Sequence, residues 1–269
     1  MTMNKQKLAV AIGLLTAHMI GASQAASISI NFHVGDDGNA QADHELAAGE
    51  SAGLVATDGA LWNNINVGNG GPTNTVSEIF TSTTLTDDSG ANAATIAPSA
   101  NSSRFVGYAA SGAAAEEELG LAGNNDDLYN SYLALNGPGG DSSPADAALL
   151  SITDLSSDFT TNGYRVIIYS DSDRGLGSAA RTSFFTIGGT TQSVVDDEHV
   201  FDNTFIEGTN YTEFVFGPGA ADNFTIDVFA DNANGRGSIN GIQIIAIPEP
   251  SSTALLGLGG LALILRRRK

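Results

Sequence analysis

Asp171-Ser172-Asp173 is the stretch of this chain best suited to chemistry. It follows the β-prone run Tyr164-Arg165-Val166-Ile167-Ile168-Tyr169 and leads into Arg174-Gly175-Leu176-Gly177. Carboxylates at i and i+2 of a loop can face one hard cation, and Ca2+ takes about six to eight oxygen ligands. Asp36, Asp37 and Asn39 offer a second such group, and Asp231, Asn232 and Asn234 a third. None completes an EF-hand loop or a glycine-rich calcium nonapeptide. Solvated turn carboxylates are the competing reading. Arg174 strengthens it at the first group, because a guanidinium can neutralise both acids. The expectation is that no cofactor is required, with Ca2+ as an optional ligand of Asp171, Asp173, Asp36 and Asp37.

Other chemistry finds less support. Asp43-His44-Glu45 and Asp196-Asp197-Glu198-His199 set a histidine beside acids, but adjacent strand positions point to opposite faces. There is no Gly-x-Ser-x-Gly elbow, no His-Glu-x-x-His helix and no phosphate loop. The chain has no cysteine, which removes thiolate catalysis and thiolate metal sites. Glycoside hydrolysis needs a carboxylate pair, and no pair can be singled out among so many acids. The body is therefore expected to be no enzyme, with a polysaccharide hydrolase as the remote alternative. Trp62, the single tryptophan, sits in Leu61-Trp62-Asn63-Asn64-Ile65. It reads as a core plug near a sheet end or as a sugar-stacking platform, since an indole has both an apolar body and a polar N–H. The platform would make the body a carbohydrate-binding module with structural calcium.

Charge narrows the partners. The 269-residue chain has a formal net charge of −19. Six of its 11 basic residues lie at the two ends, so the body between them holds 29 acids, five arginines and no lysine. Binding to nucleic acid or to an anionic membrane surface rests on basic patches, so both are poor partners for the body, and no nucleic acid is expected. Cations, neutral glycans and a saline medium fit better. Without disulfides, the body must be held by burial.

The elements that would position these groups are mostly strands. Ser27-Ile28-Ser29-Ile30-Asn31-Phe32-His33 alternates polar and apolar residues, which predicts a half-buried strand. Short strands are also predicted at Gly53–Ala56, Val76–Leu85, Arg104–Ala110 and, more densely, from Ala148 to Ala246. Tyr164–Tyr169 and Phe224–Ala230 are the clearest of these. Leu128 and Tyr132, at i and i+4 behind Asp126 and Asp127, predict one helix over residues 126–133. Many short strands separated by Gly, Asn and Asp indicate a mainly β body: a single antiparallel jelly-roll-like sandwich over residues 26–246.

The two ends carry addresses. Lys5 and Lys7, the apolar run from Leu8 to Ile20, and Ser23-Gln24-Ala25 read as a signal peptide over residues 1–25, handled by the Sec machinery and signal peptidase. At the other end, Pro248-Glu249-Pro250 is followed by the uncharged run Ser251–Leu265 and then Arg266-Arg267-Arg268-Lys269. As a helix that run is about 22 Å long, short of the ~30 Å apolar core of a bilayer. Snorkelling cations extend it, so a transmembrane helix over 251–265 with a stop-transfer tail at 266–269 is expected, the cations staying inside. These three parts in this order resemble the PEP-CTERM sorting signal of Gram-negative bacteria. That resemblance implies exosortase, a membrane cysteine protease-transpeptidase, as partner. It also implies inner-membrane anchoring, then release to the cell surface or an exopolysaccharide or biofilm matrix. The Ile-Asn-Phe opening, Leu61-Trp62-Asn63-Asn64, the Leu128-Tyr129-Asn130-Ser131-Tyr132-Leu133 helix, Ile168-Tyr169-Ser170-Asp171-Ser172-Asp173 and Ile239-Asn240-Gly241-Ile242-Gln243-Ile244 resemble bodies found ahead of such tails. They are also similar to galactose-binding-like jelly rolls, from which no binding residue is carried over. An exported structural or adhesive protein of the envelope or matrix is the expected function.

Overall fold

The computed structural model describes residues 25–33, 45–67, 82–98, 105–109, 126–129, 131–135, 148–171, 180–196, 204–230 and 237–249. Two units divide the chain: Ala26–Ala246, and the terminal segments Met1–Ala25 with Ile247–Lys269. The fold below is that of the first. Its strands in chain order are β1 (Ser27–His33), β2 (Ser51–Ala52), β3 (Thr57–Asp58), β4 (Trp62–Asn66), β5 (Thr83–Thr86), β6 (Asn92–Pro98), β7 (Phe105–Ala109) and β8 (Ser131–Leu135). They continue as β9 (Ala148–Thr153), β10 (Tyr164–Tyr169), β11 (Arg181–Ile187), β12 (Thr190–Asp196), β13 (Tyr211–Phe216), β14 (Phe224–Ala230), β15 (Ser238–Ile239) and β16 (Gly241–Ala246). Among the described residues two four-residue helices, α1 (Asp126–Tyr129) and α2 (Ser157–Thr160), interrupt them.

The body is mainly β, but it is not the single antiparallel sandwich the pattern predicts. Among the described residues four sheets form: a five-stranded one in the order β13-β10-β16-β1-β4, a six-stranded one in the order β12-β11-β14-β9-β6-β5, a three-stranded β15-β8-β7 and the hairpin β2-β3. The pairing of β1 with β4 is parallel, with Ser29 opposite Trp62 and Phe32 opposite Ile65. Parallel neighbours cannot be joined by a tight turn and need a crossover connection. The crossover contains β2, β3 and the 3-10 turn Gly59–Leu61, and it is what adds the small hairpin sheet.

One core lies between the two large sheets. The five-stranded sheet supplies Ile28, Ile30, Phe32, Val166, Ile168, Ile242 and Ile244, and the six-stranded sheet supplies Leu150, Ile152, Phe185, Ile187, Ile226 and Val228. All are at most 1% exposed. Burying each such side chain stabilises the fold by about 1.5–3 kcal/mol, which is how a body without disulfides holds together. Side-chain and turn contacts close both seams between the sheets. At one, the Asn63 carboxamide stands in for a peptide group: Thr86 N–H donates to its Oδ1 at 2.8 Å and its Nδ2 donates to Thr86 O at 2.8 Å. At the other, Val195 N–H donates to Gly208 O and Gly208 N–H donates to Tyr211 O, both at 2.8 Å. One peptide group of β5 and the Val195 N–H of β12 thus find partners across these seams.

The outer face of the five-stranded sheet is also covered. β1 was expected to be half-buried; all seven of its residues are buried. The crossover strap, residues 45–61, lies against its polar side. Gln243 Nε2 donates to Val55 O at 2.8 Å and to Ser29 Oγ at 3.0 Å. Leu54 N–H donates to the Tyr169 hydroxyl, which in turn donates to Gln243 Oε1. Asn64 donates to Leu46 O and accepts from Leu46 N–H, while Asn31 Nδ2 donates to Asn64 Oδ1. The segment Gly53–Ala56, expected as a strand, is instead a turn between β2 and β3. Gly53 has φ +89°, and a Cβ there would lie 2.6 Å from Gln243 Oε1. Only glycine fits that approach.

The expected helix over 126–133 is cut short. α1 stops at Tyr129, and Ser131–Leu135 becomes β8, paired with β7 and β15. Ser131, Tyr132 and Leu133 are all buried, and the ladder to two neighbours outweighs a single i, i+4 pair worth a few tenths of a kcal/mol. Of the strand expected at Val76–Leu85, the described part is β5. The transmembrane helix expected at 251–265 lies outside the described residues, among which no helix is long and apolar enough to cross a membrane.

Candidate functional site

The sorting segment follows directly on a fully buried strand. β16 lies between β1 and β10, with Ile245 opposite both Ser27 and Arg165. All six of its residues are buried. Ala246 N–H donates to Ala26 O at 2.9 Å, the last ladder contact of that strand. Beyond it, Ile247 is half-buried and Pro248 and Glu249 are exposed. Proline has no N–H to extend a ladder, so the sequence itself ends β16 here. Pro250 and the expected stop-transfer residues Arg266, Arg267, Arg268 and Lys269 lie outside the described residues.

At the other end of the same sheet, a buried asparagine ties the strand ends from which the acidic loops depart. Asn240 O accepts from Phe32 N–H at 3.0 Å, and its Oδ1 accepts from Asp171 N–H at 2.6 Å. Its Nδ2 donates to Tyr129 O and Ser131 O, and its own N–H donates to Tyr169 O at 2.9 Å. The Ser170 and Ser238 hydroxyls meet at 3.1 Å beside it. Each bond is worth about 0.5–1.5 kcal/mol net, but losing the amide would leave several buried groups unpartnered. Asn240 thus registers the end of β1, the end of β10 and the start of β16. Of the residues expected to bind calcium, Asp171 is buried there at 8% exposure; Asp173, Asp36 and Asp37 lie outside the described residues. Among the described residues no group of three metal-ligating side chains is gathered. His33 Nε2, at the end of β1, lies 3.4 Å from Glu45 Oε1.

Trp62 does not offer a face to solvent. It is 5% exposed, and its indole N–H donates to Thr57 O at 3.2 Å. The ring plugs the joint between strap and sheet; stacking on a sugar would need it uncovered. Sequence reasoning missed a different aromatic group. Tyr164, Phe216 and Phe224 cluster with ring centroids 4.9–6.1 Å apart on one side of a groove of about 420 Å3. Ile152, Ile187, Ser151, Thr153, Asn223 and Thr225 line the rest, and no lining side chain is charged. Tyr164 donates to Ala221 O at 3.0 Å. Burial, with the Asp222 carboxylate behind it, pushes the Tyr164 hydroxyl up to about 12, so it stays neutral and donates. The signal that could have found this group is the recurrence of Phe and Tyr at strand ends 164, 216 and 224, which alternation alone treats as core.

Comparison with known proteins identifies the tail. Residues 246–269 match the PEP-CTERM protein-sorting motif. The match begins at the last residue of β16 and leaves the body uncovered. The segment is a PEP-CTERM sorting signal, and exosortase is the processing partner it implies. No curated protein matches the chain. Among solved structures, a Bacillus subtilis protein from structural genomics is similar over 83% of this chain and 40% of its own, at 10% identity and a TM-score of 0.38. A family GH115 4-O-methyl-α-glucuronidase specific for decorated arabinogalactans shares 44% of this chain and 14% of its own, at 10% identity and TM-score 0.29. A Bacteroides uniformis β-glucuronidase shares 47% and 12%, at 11% identity and TM-score 0.27. This chain spans well under half of each of these proteins, and scores this low carry no argument about fold or activity.

Proposed function

We propose that this chain is an exported protein whose acidic β body has a structural or adhesive, non-catalytic role in the cell envelope or exopolysaccharide matrix. In this reading the tail holds the newly exported chain at the inner membrane until exosortase processes it. The observation that carries the reading is the sorting motif starting at the very residue where β16 ends, so that address and body abut with nothing between them. The net charge of the body suits a hydrated matrix. No cofactor is required in this reading, and calcium at the loops after β1 and β10 would be an accessory. Replacing Pro248, Glu249 and Pro250 by alanines, in a host that has exosortase, should leave the unprocessed chain in the membrane fraction. Maturation and release unchanged from wild type would overturn the proposal.

A second reading, a carbohydrate-binding body, is favoured by the uncharged groove beside Tyr164, Phe216 and Phe224. Aromatic walls and hydroxyl or amide rims suit a neutral sugar ring. A glycan array with the wild-type body and the Phe216→Ala variant tests it: binding lost in the variant supports it, and no binding by wild type removes it.

A further inference from the structure

The six-stranded sheet has an outer face unlike the rest of this acidic body. Its inward residues, Leu85, Ile96, Ile152 and Ile226 among them, belong to the core, so the residues between them point outward. Hydroxyls stand in register at those outward positions. Thr84, Thr95 and Thr153 lie opposite one another on β5, β6 and β9, and Ser151 lies opposite Thr225 of β14. The body holds 29 acids, yet among the described residues Asp227 is the only outward side chain of these six strands that carries a charge. Ser151, Thr153 and Thr225 also line the groove beside Tyr164, Phe216 and Phe224, so groove and face are continuous. Resting on the reading of that groove as a sugar site, we propose that groove and face together bind an extended, neutral polysaccharide chain. One sugar ring lies on the aromatic wall, and the following units cross Thr153, Thr95 and Thr84.

Charge decides the class of occupant. A uronate or sulfate needs a cation to hold it; among the described residues no lysine or arginine points outward on this face, and the acidic body repels such a chain. A cationic glycan would find only Asp227. A second copy of this chain would bring two acidic bodies together. A neutral chain meets none of these costs, because a hydroxyl both donates and accepts and so matches a sugar hydroxyl in either sense. Geometry decides the path. Adjacent strands lie about 4.8 Å apart, so the row Thr153–Thr95–Thr84 reaches about 10 Å from the mouth of the groove. Thr84 and Thr153 are exposed and Thr95 is half-buried. Thr153 Oγ1 donates to Asp154 Oδ2 at 3.0 Å and therefore meets the chain as an acceptor. Toward β12 the face is less suited. There the row starts at Asp227, opposite Thr186, and the Thr186 and Thr191 hydroxyls bond to each other at 2.8 Å.

The test is binding of the exported protein to neutral glucan, mannan and galactan oligosaccharides of increasing length, with oligouronates of equal length as the anionic probe. In at least one neutral series the hexasaccharide should bind about tenfold or more tighter than the disaccharide, and the oligouronates should bind far more weakly. Thr95→Glu sets a charge in the middle of the row. It should return the hexasaccharide to the affinity of the disaccharide and leave the disaccharide unchanged. Thr84→Glu, at an exposed position, should likewise weaken only the longer chains, and it decides the matter if Thr95→Glu fails to fold in a thermal unfolding scan. Thr191→Glu, on the opposite half of the sheet, should change neither. Affinity independent of length, or row variants that bind like wild type, would overturn the proposal and leave the groove as a sugar site by itself. Oligouronates bound as tightly as neutral chains, or a Thr191→Glu variant as impaired as Thr95→Glu, would also overturn it. No binding in any neutral series would remove the groove reading and this inference together.

Discussion

The two faces of the five-stranded sheet are both buried, yet by different means. The inner face presents Ile28, Ile30, Phe32, Val166, Ile168, Ile242 and Ile244 to the six-stranded sheet and is held by apolar packing. The outer face presents Ser29, Asn31, Tyr169 and Gln243 to the strap and is held by a chain of hydrogen bonds. Apolar burial is non-directional and tolerates any filler of the right volume. A buried polar network demands that every member be satisfied, and in return fixes one register. The difference suggests a division of labour: the inner face supplies most of the stability, while the outer face decides where the crossover between β1 and β4 lies.

Three substitutions sharpen or break that comparison. Ile244→Ala empties part of the inner face and should cost about 2–5 kcal/mol, read by chemical denaturation, with amide protection falling throughout the body. Gln243→Leu on the neighbouring position of the same strand should cost about 1–3 kcal/mol, since the Val55 and Tyr169 groups lose their partner. Hydrogen exchange should then quicken at Leu54 and Val55 first, with the inner strands still protected. If both variants loosen the whole body alike, the faces are one cooperative unit and the division fails. Tyr164→Phe should cost least, about 0.5–1.5 kcal/mol, for the lost bond to Ala221 O.

That last variant also tests an electrostatic consequence. The Tyr164 hydroxyl has its folded value raised to about 12 from 10.0, so the folded state holds the proton more tightly than the unfolded chain. The corresponding stability is fully present below pH 10 and is lost as pH rises through 10 towards 12. The Phe variant should show a shallower alkaline loss over that window in a stability–pH profile. An identical slope would mean that the hydroxyl is not the group that titrates.

What the sequence showed and what it hid follow from the same distinction. Alternation located β1, β10 and β14, because period-two patterning reflects which side chains meet the core. It could not show that the polar half of β1 is buried too, since a serine or asparagine facing a strap looks the same as one facing water. The parallel pairing with β4 was hidden for a related reason: the crossover that permits it is specified by Gly53, Gln243 and Tyr169, which are far apart in sequence. The helix over 126–133 failed where a local i, i+4 pair competed with a long-range ladder. The sorting motif, by contrast, was readable from the sequence, because its parts are local and physically distinct. Trp62 was open between two readings that only burial could separate, and the groove beside Tyr164 came from residues that no local pattern joins.

The central claim, that the two ends are addresses removed from a body which folds between them, is tested most directly by the mass of the protein from a host with signal peptidase and exosortase. The account predicts a chain that begins at Ala26 and lacks the terminal Arg266-Arg267-Arg268-Lys269 cluster. Recovery of the intact 269-residue polypeptide from the cytosol of that host would contradict it.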